Sequence, residues 1–413
     1  MRPLWGSGEG AGDDGARRRR GLFTTPADDL HGIFTAVGDG LSMSSRNAPE
    51  TNDDARRLNV VAAAALLIGI VALVVAIVAA FQSNDSNAGS QMGSTTMGSM
   101  GSMSGQDMSH MQPLPIDGIK PATSSEGGTR LQGTERNGAL EFNLDARPVW
   151  WNVTRDQRVA AYAYNGIVPG PTIQVRNGQR VRIRFTNSLP VETTVHWHGI
   201  GVPNSQDGVP GVTQQAIKPG ASFTYTFTAR PAGDPNGGGT FLYHTHVDED
   251  RQMPMGLYGT FIIEPKAQVK APAVDRTLVV SEWTADPSSG RTRGVMQMEG
   301  MFPNYFTING HSYPDTGTLK VPAGKLVRLR LVNAGQMAHP LHLHGTAFRI
   351  VARDGHPASD TGLRDTVTLE SGERADIEFR LSKGKWIFHC HIGHHLTNAG
   401  EGPGGLLQLI QSA

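Results

Sequence analysis

YNGIVPGPTIQVRNGQRVRIRFTN, at positions 164–187, decides the fold, because a second stretch, INGHSYPDTGTLKVPAGKLVRLRLVN at 308–333, repeats its pattern. Both stretches open with an Asn-Gly turn signal and close with alternating apolar and charged residues. Alternation with a period of two is typical of a half-buried β-strand. The offset between the copies, about 145 residues, predicts two consecutive β-sandwich domains of ordinary size.

The overall composition excludes some classes of protein. The chain of 413 residues carries 37 acidic and 37 basic side chains, so its formal net charge is zero. A nucleic-acid-binding surface requires a basic excess, so we predict no nucleic-acid partner. The 51 glycines and 25 prolines favour short strands separated by turns. The single cysteine, Cys390, excludes an internal disulfide.

Shifts in composition along the chain predict five segments. They are a disordered cytoplasmic tail at 1–57, a transmembrane anchor at 58–82, a Ser/Gly/Met-rich linker at 83–137, a first β-sandwich domain at 138–268 and a second at 269–413. The methionines of the linker could bind Cu(I), since thioethers are soft ligands. A plain flexible spacer explains the same composition.

The predicted anchor rests on an uncharged apolar run at 60–81. At about 1.5 Å per residue this run spans ~33 Å as a helix, enough for a hydrocarbon core of about 30 Å. Arg56 and Arg57 precede it, and no Lys or Arg follows before Lys120. The positive-inside rule therefore predicts a single-pass protein of the cell membrane whose domains lie outside the cytoplasm. A cleaved signal peptide followed by secretion is the alternative.

Four H-x-H pairs are the main chemical signal in the chain. Side chains at positions i and i+2 of a strand point to the same face, so each pair offers two neighbouring imidazoles. Imidazole suits copper, zinc, iron and nickel. Four pairs, two in each copy of the repeat, predict a metal centre with several ions. The pairs are His196 and His198, His244 and His246, His342 and His344, and His389 and His391.

Cys390 lies between His389 and His391 and therefore points to the opposite face of its strand. His395 follows five residues later, and His339 lies three residues before the third pair. Two imidazoles and one thiolate are the ligand set of blue-copper electron-transfer sites. An electron that arrives at Cys390 then has only a short backbone path to either neighbouring histidine.

These residues resemble the multicopper oxidase family of laccase-like enzymes. The matching motifs are HWHG at 196–199, HTH at 244–246, HPLHLHG at 339–345 and HCHIGHH at 389–395, with further similarity in DGVPGVTQ at 207–214 and RDTVTL at 364–369. The resemblance covers about 140–413, and the four copper motifs occur in order. It implies an all-β fold of two cupredoxin-like Greek-key β-sandwich domains.

The resemblance also implies four copper ions per chain and a role for each matching residue. The type 1 ion would be bound by His339, Cys390 and His395, the type 2 ion by His196 and His342, and the type 3 pair by His198, His244, His246, His344, His389 and His391. Asp207 matches an acidic residue near the type 2 ion, which implies proton relay and orientation of a ligand. A turn residue before Gly208 is the simpler interpretation of Asp207.

The first copy of the repeat lacks the ligands of the mononuclear site. At the three equivalent positions it has Thr193, Thr245 and Asp250. A chain of two such domains resembles the two-domain laccases, in which the trinuclear cluster forms between the first domain of one subunit and the second domain of the next. A head-to-tail contact must close into a ring or polymerise, so we predict a homotrimer with clusters at the subunit interfaces.

The reaction implied by the resemblance is reduction of O2 to two waters, coupled to four one-electron oxidations of a phenolic or aromatic donor or of a metal ion. The donor would meet the type 1 site at the edge of His395, and Cys390 would pass the electrons on. Two alternatives stay open. A copper nitrite reductase would carry its copper-binding cysteine in the first domain, and a non-catalytic, membrane-tethered copper-binding protein would use the linker methionines.

The end of the chain departs from the family pattern. Many relatives have an axial methionine five positions after the last ligand histidine, where this chain has Gly400. The resemblance therefore implies a three-coordinate type 1 site, or one with Leu406 above the metal. Either arrangement raises the reduction potential, because the axial ligand tunes it.

Overall fold

The computed structural model describes residues 113–267, 270–286, 288–293, 303–360 and 362–413. The predicted tail and anchor at 1–82, the predicted linker up to residue 112 and a methionine-rich run at 296–301 lie outside these ranges. Within the described ranges, no helix has both the length and the apolar character needed to cross a membrane.

The first domain contains ten strands and one short α-helix, α1 (Glu249–Gln252). The strands are β1 (Lys120–Pro121), β2 (Thr134–Arg136), β3 (Ala139–Asn152), β4 (Arg158–Tyr164), β5 (Gly170–Arg176), β6 (Arg180–Asn187), β7 (His196–His198), β8 (Ser222–Thr228), β9 (Gly239–His244) and β10 (Tyr258–Glu264). A 3-10 helix (Asn204–Gln206) follows β7.

The second domain is built from thirteen described strands. They are β11 (Val274–Ala285), β12 (Thr292–Arg293), β13 (Tyr305–Ile308), β14 (Thr318–Val321), β15 (Val327–Asn333), β16 (His339–Leu343), β17 (Phe348–Arg353), β18 (His356–Pro357), β19 (Leu363–Arg364), β20 (Thr366–Leu369), β21 (Arg374–Phe379), β22 (Gly384–Cys390) and β23 (Leu407–Ser412). A 3-10 helix (Gly393–Leu396) follows β22.

Each domain is a sandwich of two sheets. In the first domain the strand orders are β1-β3-β6-β8, with β2 and β4 also on β3, and β5-β10-β9-β7. In the second they are β12-β11-β15-β21-β17-β18, with β13 on β11 and β19 on β17, and β14-β23-β22-β16-β20. The all-β, cupredoxin-like fold expected from the sequence is confirmed.

The strand pairing repeats between the domains. β3 runs parallel to β6 as β11 does to β15, and β5 runs parallel to β10 as β14 does to β23. β7 is antiparallel to β9 as β16 is to β22. The sequence repeat therefore corresponds to a repeat of topology, and it places the second and fourth H-x-H motifs on equivalent strands.

The alternation seen in the sequence corresponds to burial in the sheets. On β6, Val181, Ile183 and Phe185 are fully buried in the core of the first domain, while Arg184 between them is exposed. Burial of each such apolar side chain contributes roughly 1.5–3 kcal/mol. The apolar positions of β15 pack in the second core in the same way.

The first domain begins earlier than the sequence predicts. The linker was expected to continue to residue 137, but β1 and β2 lie before that position and pair with β3. Leu114 is buried against the first core. Composition misplaces this boundary, because single apolar residues in a polar stretch give no signal until their packing partners are known.

A buried polar network joins the two domains. The Thr240 hydroxyl on β9 donates a hydrogen bond to Asp376 Oδ1 on β21 at 2.7 Å. The guanidinium of Arg330 lies 3.0 Å from both Asp376 Oδ2 and the Thr240 hydroxyl, and it also pairs with Asp275 at 2.7 and 2.8 Å. Buried charges are tolerated only when they are paired, so this network favours one arrangement of the domains.

Asp376→Ala should destabilise the protein by about 3 kcal/mol, because it leaves a buried guanidinium and hydroxyl short of an acceptor. Urea unfolding followed by tryptophan fluorescence measures the change. Asp360→Ala is the matched control, since Asp360 pairs with Arg364 on the surface and should cost less than about 1 kcal/mol. Equal effects of the two substitutions would show that the interdomain network contributes no more to the free energy of unfolding than a surface ion pair does.

Candidate metal centres

One strand contributes to two separate sites. On β22 and the residue after it, Cys390 is fully buried while His389 is half-buried and His391 exposed. The alternation of a strand sends the thiol to one side and the two imidazoles to the other. The described residues therefore hold a buried site on one side of β22 and a more open site on the other.

The buried site, called the cysteine site, consists of His339, Cys390 and His395, all with no exposed surface. The Cys390 Sγ atom lies 3.4 Å from His395 Nδ1 and 3.8 Å from His339 Nδ1. The two Nδ1 atoms are 3.0 Å apart. The structure thus brings together the three residues that the sequence predicts for the type 1 ion.

Burial changes the acid–base chemistry of this site. Desolvation, with a smaller effect of His339, lowers the pKa of His395 to about 3, so its imidazole is neutral at physiological pH. Desolvation raises the pKa of the Cys390 thiol to about 11. A cation must therefore displace the thiol proton before the sulfur becomes a ligand.

The donor set fits copper. Two ring nitrogens that face each other at 3.0 Å inside a protein need a shared proton or a metal ion between them. A thiolate with two imidazoles is the set that protein copper sites use for electron transfer. The remaining ring nitrogen of His395, Nε2, is buried and has no hydrogen-bond partner among the described residues. The ring edge at which the sequence predicts contact with the donor is therefore not exposed.

The glycine-rich segment after His395 closes the cysteine site from behind. The Leu406 amide donates to the His395 carbonyl at 2.9 Å, and the Cys390 amide donates to the Leu406 carbonyl at 3.0 Å. A Cβ atom on Gly405 would lie 1.9 Å from the His395 carbonyl oxygen, so only glycine fits there. Leu406 is buried in the same apolar cluster as Cys390, whereas Gly400 has nothing within 4 Å of its Cβ position.

Four histidines of the first domain, called the first histidine group, gather at the end of β7 and β9. Their ring centroids lie 5.3–5.9 Å apart. His196 pairs with His244 in the strand register, which explains why two distant motifs meet. The group is His196, His198, His244 and His246.

The second histidine group lies in the second domain, at the equivalent place on β16 and β22. Ring centroids are 4.9–5.7 Å apart, and Nε2 of His344 lies 3.0 Å from Nε2 of His389. The register again pairs the two motifs, His342 with His389. The group is His342, His344, His389 and His391.

Backbone carbonyls orient four of these eight rings. Nδ1 of His196 lies 2.8 Å from the Asp207 carbonyl, and Nδ1 of His342 lies 2.9 Å from the Asp365 carbonyl. His244 and His389 make the same contact at 2.8 Å with the carbonyl of the following residue. An Nδ1–H donated to a carbonyl leaves the Nε2 lone pair free for a metal.

Burial lowers the pKa of two imidazoles in each histidine group, which favours the neutral form that binds a cation. Desolvation lowers the pKa of His244 to about 3. Desolvation, assisted by the nearby Arg374 guanidinium, lowers the pKa of His198 to about 4. In the second group, desolvation lowers the pKa of His344 and of His389.

Two carboxylates lie at the edge of the first histidine group. Asp207 Oδ1 is 3.4 Å from His196 Nδ1, so the closer contact of this residue is through its carbonyl. Glu249 on α1, which the sequence does not single out, has carboxylate oxygens 3.4 Å from His244 Nδ1 and 3.7 Å from His246 Nδ1.

The first domain has no thiol or imidazole at the place equivalent to the cysteine site. Thr193 and Thr245 lie buried there, with their hydroxyl oxygens 3.0 Å apart. Asp250 is exposed. A nitrite reductase of the kind considered above would need a cysteine ligand at Thr245, so this alternative is not favoured.

Several residues that hold the ligands in place are not among those predicted from the sequence. Glu282 on β11 contacts His339, and Phe306 on β13 stacks on His395. The available signal was a charged residue at an inward-facing position of an apolar strand, as in VVSEW at 279–283. The motif RDTVTL belongs to the family resemblance, and its Asp365 and Thr366 contact Nδ1 of His342.

Comparison with known proteins agrees with a multi-copper architecture. Family models for multicopper oxidase match residues 146–268 and 289–400. Laccase-2 of Cryptococcus neoformans var. grubii is 30% identical over 253 residues, which is 54% of this chain and 41% of that protein. The crystal structure of a blue copper oxidase from Nitrosomonas europaea is 34% identical, with a TM-score of 0.60, and the match covers 66% of this chain and 85% of that one.

The chain belongs to the multicopper oxidase family, and its cofactor is copper. A second solved structure, multicopper oxidase mgLAC, is 32% identical with a TM-score of 0.61, over 66% of this chain and 86% of that one. The match covers 41% of the length of the fungal laccase, which is about two fifths.

Copper binding at the cysteine site should release about one proton per chain near pH 7, because the thiol is protonated until the metal displaces its proton. Titration of the copper-free protein with Cu(II) in weak buffer, read with a pH indicator, measures the release. Cys390→Ser should release about one proton fewer than the wild type, and Thr245→Ser, at the equivalent place in the first domain, should release as many. Equal release by all three proteins would contradict the assignment of Cys390 as a ligand.

Proposed function

We propose that this protein is a laccase-like oxidase that couples four one-electron oxidations of a phenolic or aromatic donor, or of a metal ion, to reduction of O2 to two waters. The observation that carries the proposal is the arrangement around β22. A buried thiol and two imidazoles lie on one side of the strand, and the imidazoles on either side of that thiol belong to a four-histidine group on the other.

Copper held by these residues would supply one-electron oxidation of the donor at the cysteine site and four-electron reduction of O2 at the histidine groups. The chain's own contribution is to hold the ligands. Buried neutral imidazoles keep their lone pairs available, and the carbonyls of Asp207 and Asp365 fix the orientation of His196 and His342. The carboxylates of Asp207 and Glu249 are placed to accept and deliver protons beside the first group.

The two histidine groups are proposed to meet only between subunits. Among the described residues, every ring contact made by these eight histidines is with a histidine of the same group. Three ions, one of type 2 and two of type 3, would need both groups. A homotrimer in which each first domain faces the second domain of a neighbour supplies three complete clusters.

The exposed apolar side chains support this assembly. Val212 is 77% exposed and lies in the segment 207–214, whose first residue holds His196. Leu363 is 62% exposed and lies two residues before Asp365, which holds His342. Each of these exposed apolar residues thus lies within five positions of a residue that orients a ligand histidine, a position that suits a contact with a neighbouring subunit.

We propose the same cellular location that the sequence predicts, a single-pass protein of the cell membrane. The apolar run at 60–81 anchors the protein in the cell membrane, and the arginines before it keep the N-terminus in the cytoplasm. The oxidase domains then lie outside the cytoplasm, where donors and O2 are accessible.

The copper-loaded protein should consume one O2 for every four electrons taken from 2,6-dimethoxyphenol or from Cu(I). Comparison of the turnover rates with these two donors identifies the preferred class of electron donor. Cys390→Ser should lower turnover by roughly a hundredfold or more, since loss of an outer partner alone already costs 10–100-fold. An oxygen electrode measures both. Thr245→Ser should retain full turnover. A Cys390→Ser protein with undiminished turnover would refute the proposed electron transfer through Cys390.

Val212→Glu or Leu363→Glu should weaken the trimer by roughly a hundredfold or more, because an unpaired charge buried in an interface costs several kcal/mol. Sedimentation velocity measures the assembly. The blue absorption of the cysteine site should persist in the separated chains, because its three ligands come from one domain, whereas O2 uptake should be lost.

Thr224→Glu is the matched control, because it adds the same charge at an exposed position of β8. This variant should remain trimeric and active. Monomeric chains with full O2 uptake would show that the cluster forms within one chain.

A further inference from the structure

We propose that Glu282 is a positioning residue and the built-in counter-charge of the cysteine site: its buried carboxylate holds His339 and stabilises the oxidised copper ion over the reduced one. The proposal rests on the proposed function, in that it assigns copper to this site. It names a determinant of the site's reduction potential that lies on β11, far in sequence from every ligand.

The carboxylate of Glu282 is held by three donors. Oε1 lies 2.7 Å from His339 Nε2 and accepts its proton in the tautomer that leaves Nδ1 free. Oε1 also accepts a hydrogen bond from the Met337 amide at 3.0 Å, and Oε2 accepts one from the Gln336 amide at 2.9 Å. In that tautomer the carboxyl group accepts all three hydrogen bonds, as a carboxylate does. The hydrogen bond at Nε2 directs the other ring nitrogen of His339, Nδ1, toward Cys390.

The space around this carboxylate is built for it. A Cβ atom on Gly335 would lie 2.0 Å from Oε2 of Glu282, so a side chain at that position would displace the carboxylate. Glu282 itself is 2% exposed. The absence of a side chain at Gly335 therefore leaves room for the buried Glu282 carboxylate next to the cysteine site.

No Lys or Arg side chain of the described residues forms an ion pair with Glu282. Within the described part of the chain, the only ion pair it makes is with His339, whose side chain is fully buried. A buried carboxylate without a counter-charge is costly. Copper held by His339 would provide the missing positive charge, and Cu(II) would provide more of it than Cu(I).

The neighbouring strand β13 supplies a second contact to an imidazole of the cysteine site. Phe306 on β13 pairs with Glu282 in the strand register, so both side chains point into the core. Its ring stacks on His395 with centroids 4.2 Å apart and an angle of 22°. One cross-strand pair thus contacts both imidazoles of the site, one through a charged hydrogen bond and one through stacking.

The first domain provides an internal comparison. The repeat aligns Asn165-Gly166 with Asn309-Gly310, so Tyr162 is equivalent to Phe306. In the strand register Tyr162 lies opposite Pro148, and Phe306 lies opposite Glu282. Pro148 is therefore the first-domain equivalent of Glu282. The domain without the ligands of the cysteine site therefore also lacks the carboxylate. A purely structural role of Glu282 in the sandwich would give no reason for this difference.

Glu282→Gln keeps the shape of the side chain and removes the charge, so the equilibrium between Cu(II) and Cu(I) should move at least tenfold toward Cu(I). That factor corresponds to a rise of about 59 mV or more in reduction potential for one electron. Anaerobic redox titration of the blue absorption band measures it in the full copper-loaded protein, without donor or O2.

Glu378→Gln is the matched control, because Glu378 lies on β21 of the same sheet and pairs with Arg328 instead of a ligand. This variant should retain the wild-type potential. Glu282→Asp, which keeps the charge, should shift the potential less than Glu282→Gln. A Glu282→Gln protein with an intact blue band and the wild-type potential would overturn the proposal.

Thermal unfolding gives an independent readout that needs no blue band. Copper should raise the melting temperature less in Glu282→Gln than in the wild type, because the variant no longer gains a counter-ion on binding. An equal rise in both proteins would overturn the proposal. A wild type that shows no blue band at all would instead refute the copper assignment, so the two failures are distinguishable.

Discussion

The alternation of side chains along β22 is the constraint on which the rest of the structure depends. Because consecutive residues of a strand face opposite sides, one tripeptide serves a buried cysteine site with its thiol and an open histidine group with its imidazoles. This alternation separates the thiol from its two neighbouring imidazoles although the three residues are consecutive in the sequence. The pairing of β22 with β16 then adds the ligands of the third motif to both sites.

Duplication and divergence explain the uneven distribution of chemistry. Both domains keep the strand pair that carries a four-histidine group, but only the second keeps a thiol, its two imidazoles and the carboxylate of Glu282. In the first domain two threonine hydroxyls contact each other in the equivalent place and fill the core without a metal. Loss of the ligands and absence of the counter-charge are consistent with each other, since a buried carboxylate is unfavourable where no cation is bound.

Much of the site could be predicted from sequence because its signals are local. The H-x-H spacing, the opposite face of Cys390 and the threonines of the first copy follow from a period of two and from an internal repeat. The N-terminal boundary was misplaced, because β1 and β2 are short and their pairing with β3 is a long-range contact. The carbonyls that orient His196 and His342 were equally hidden, since a backbone atom leaves no mark in the sequence.

The sequence by itself determined the fold class, the family and the identity of the candidate ligands, because strand alternation and motif spacing are short-range properties of the chain. Only the tertiary structure decided which groups surround those ligands. Glu282 meets His339 across 57 positions, and Thr240 meets Asp376 across 136, through the packing of sheets and domains. Such contacts depend on how whole strands pair and pack, and that information is distributed over the entire chain rather than held in any motif.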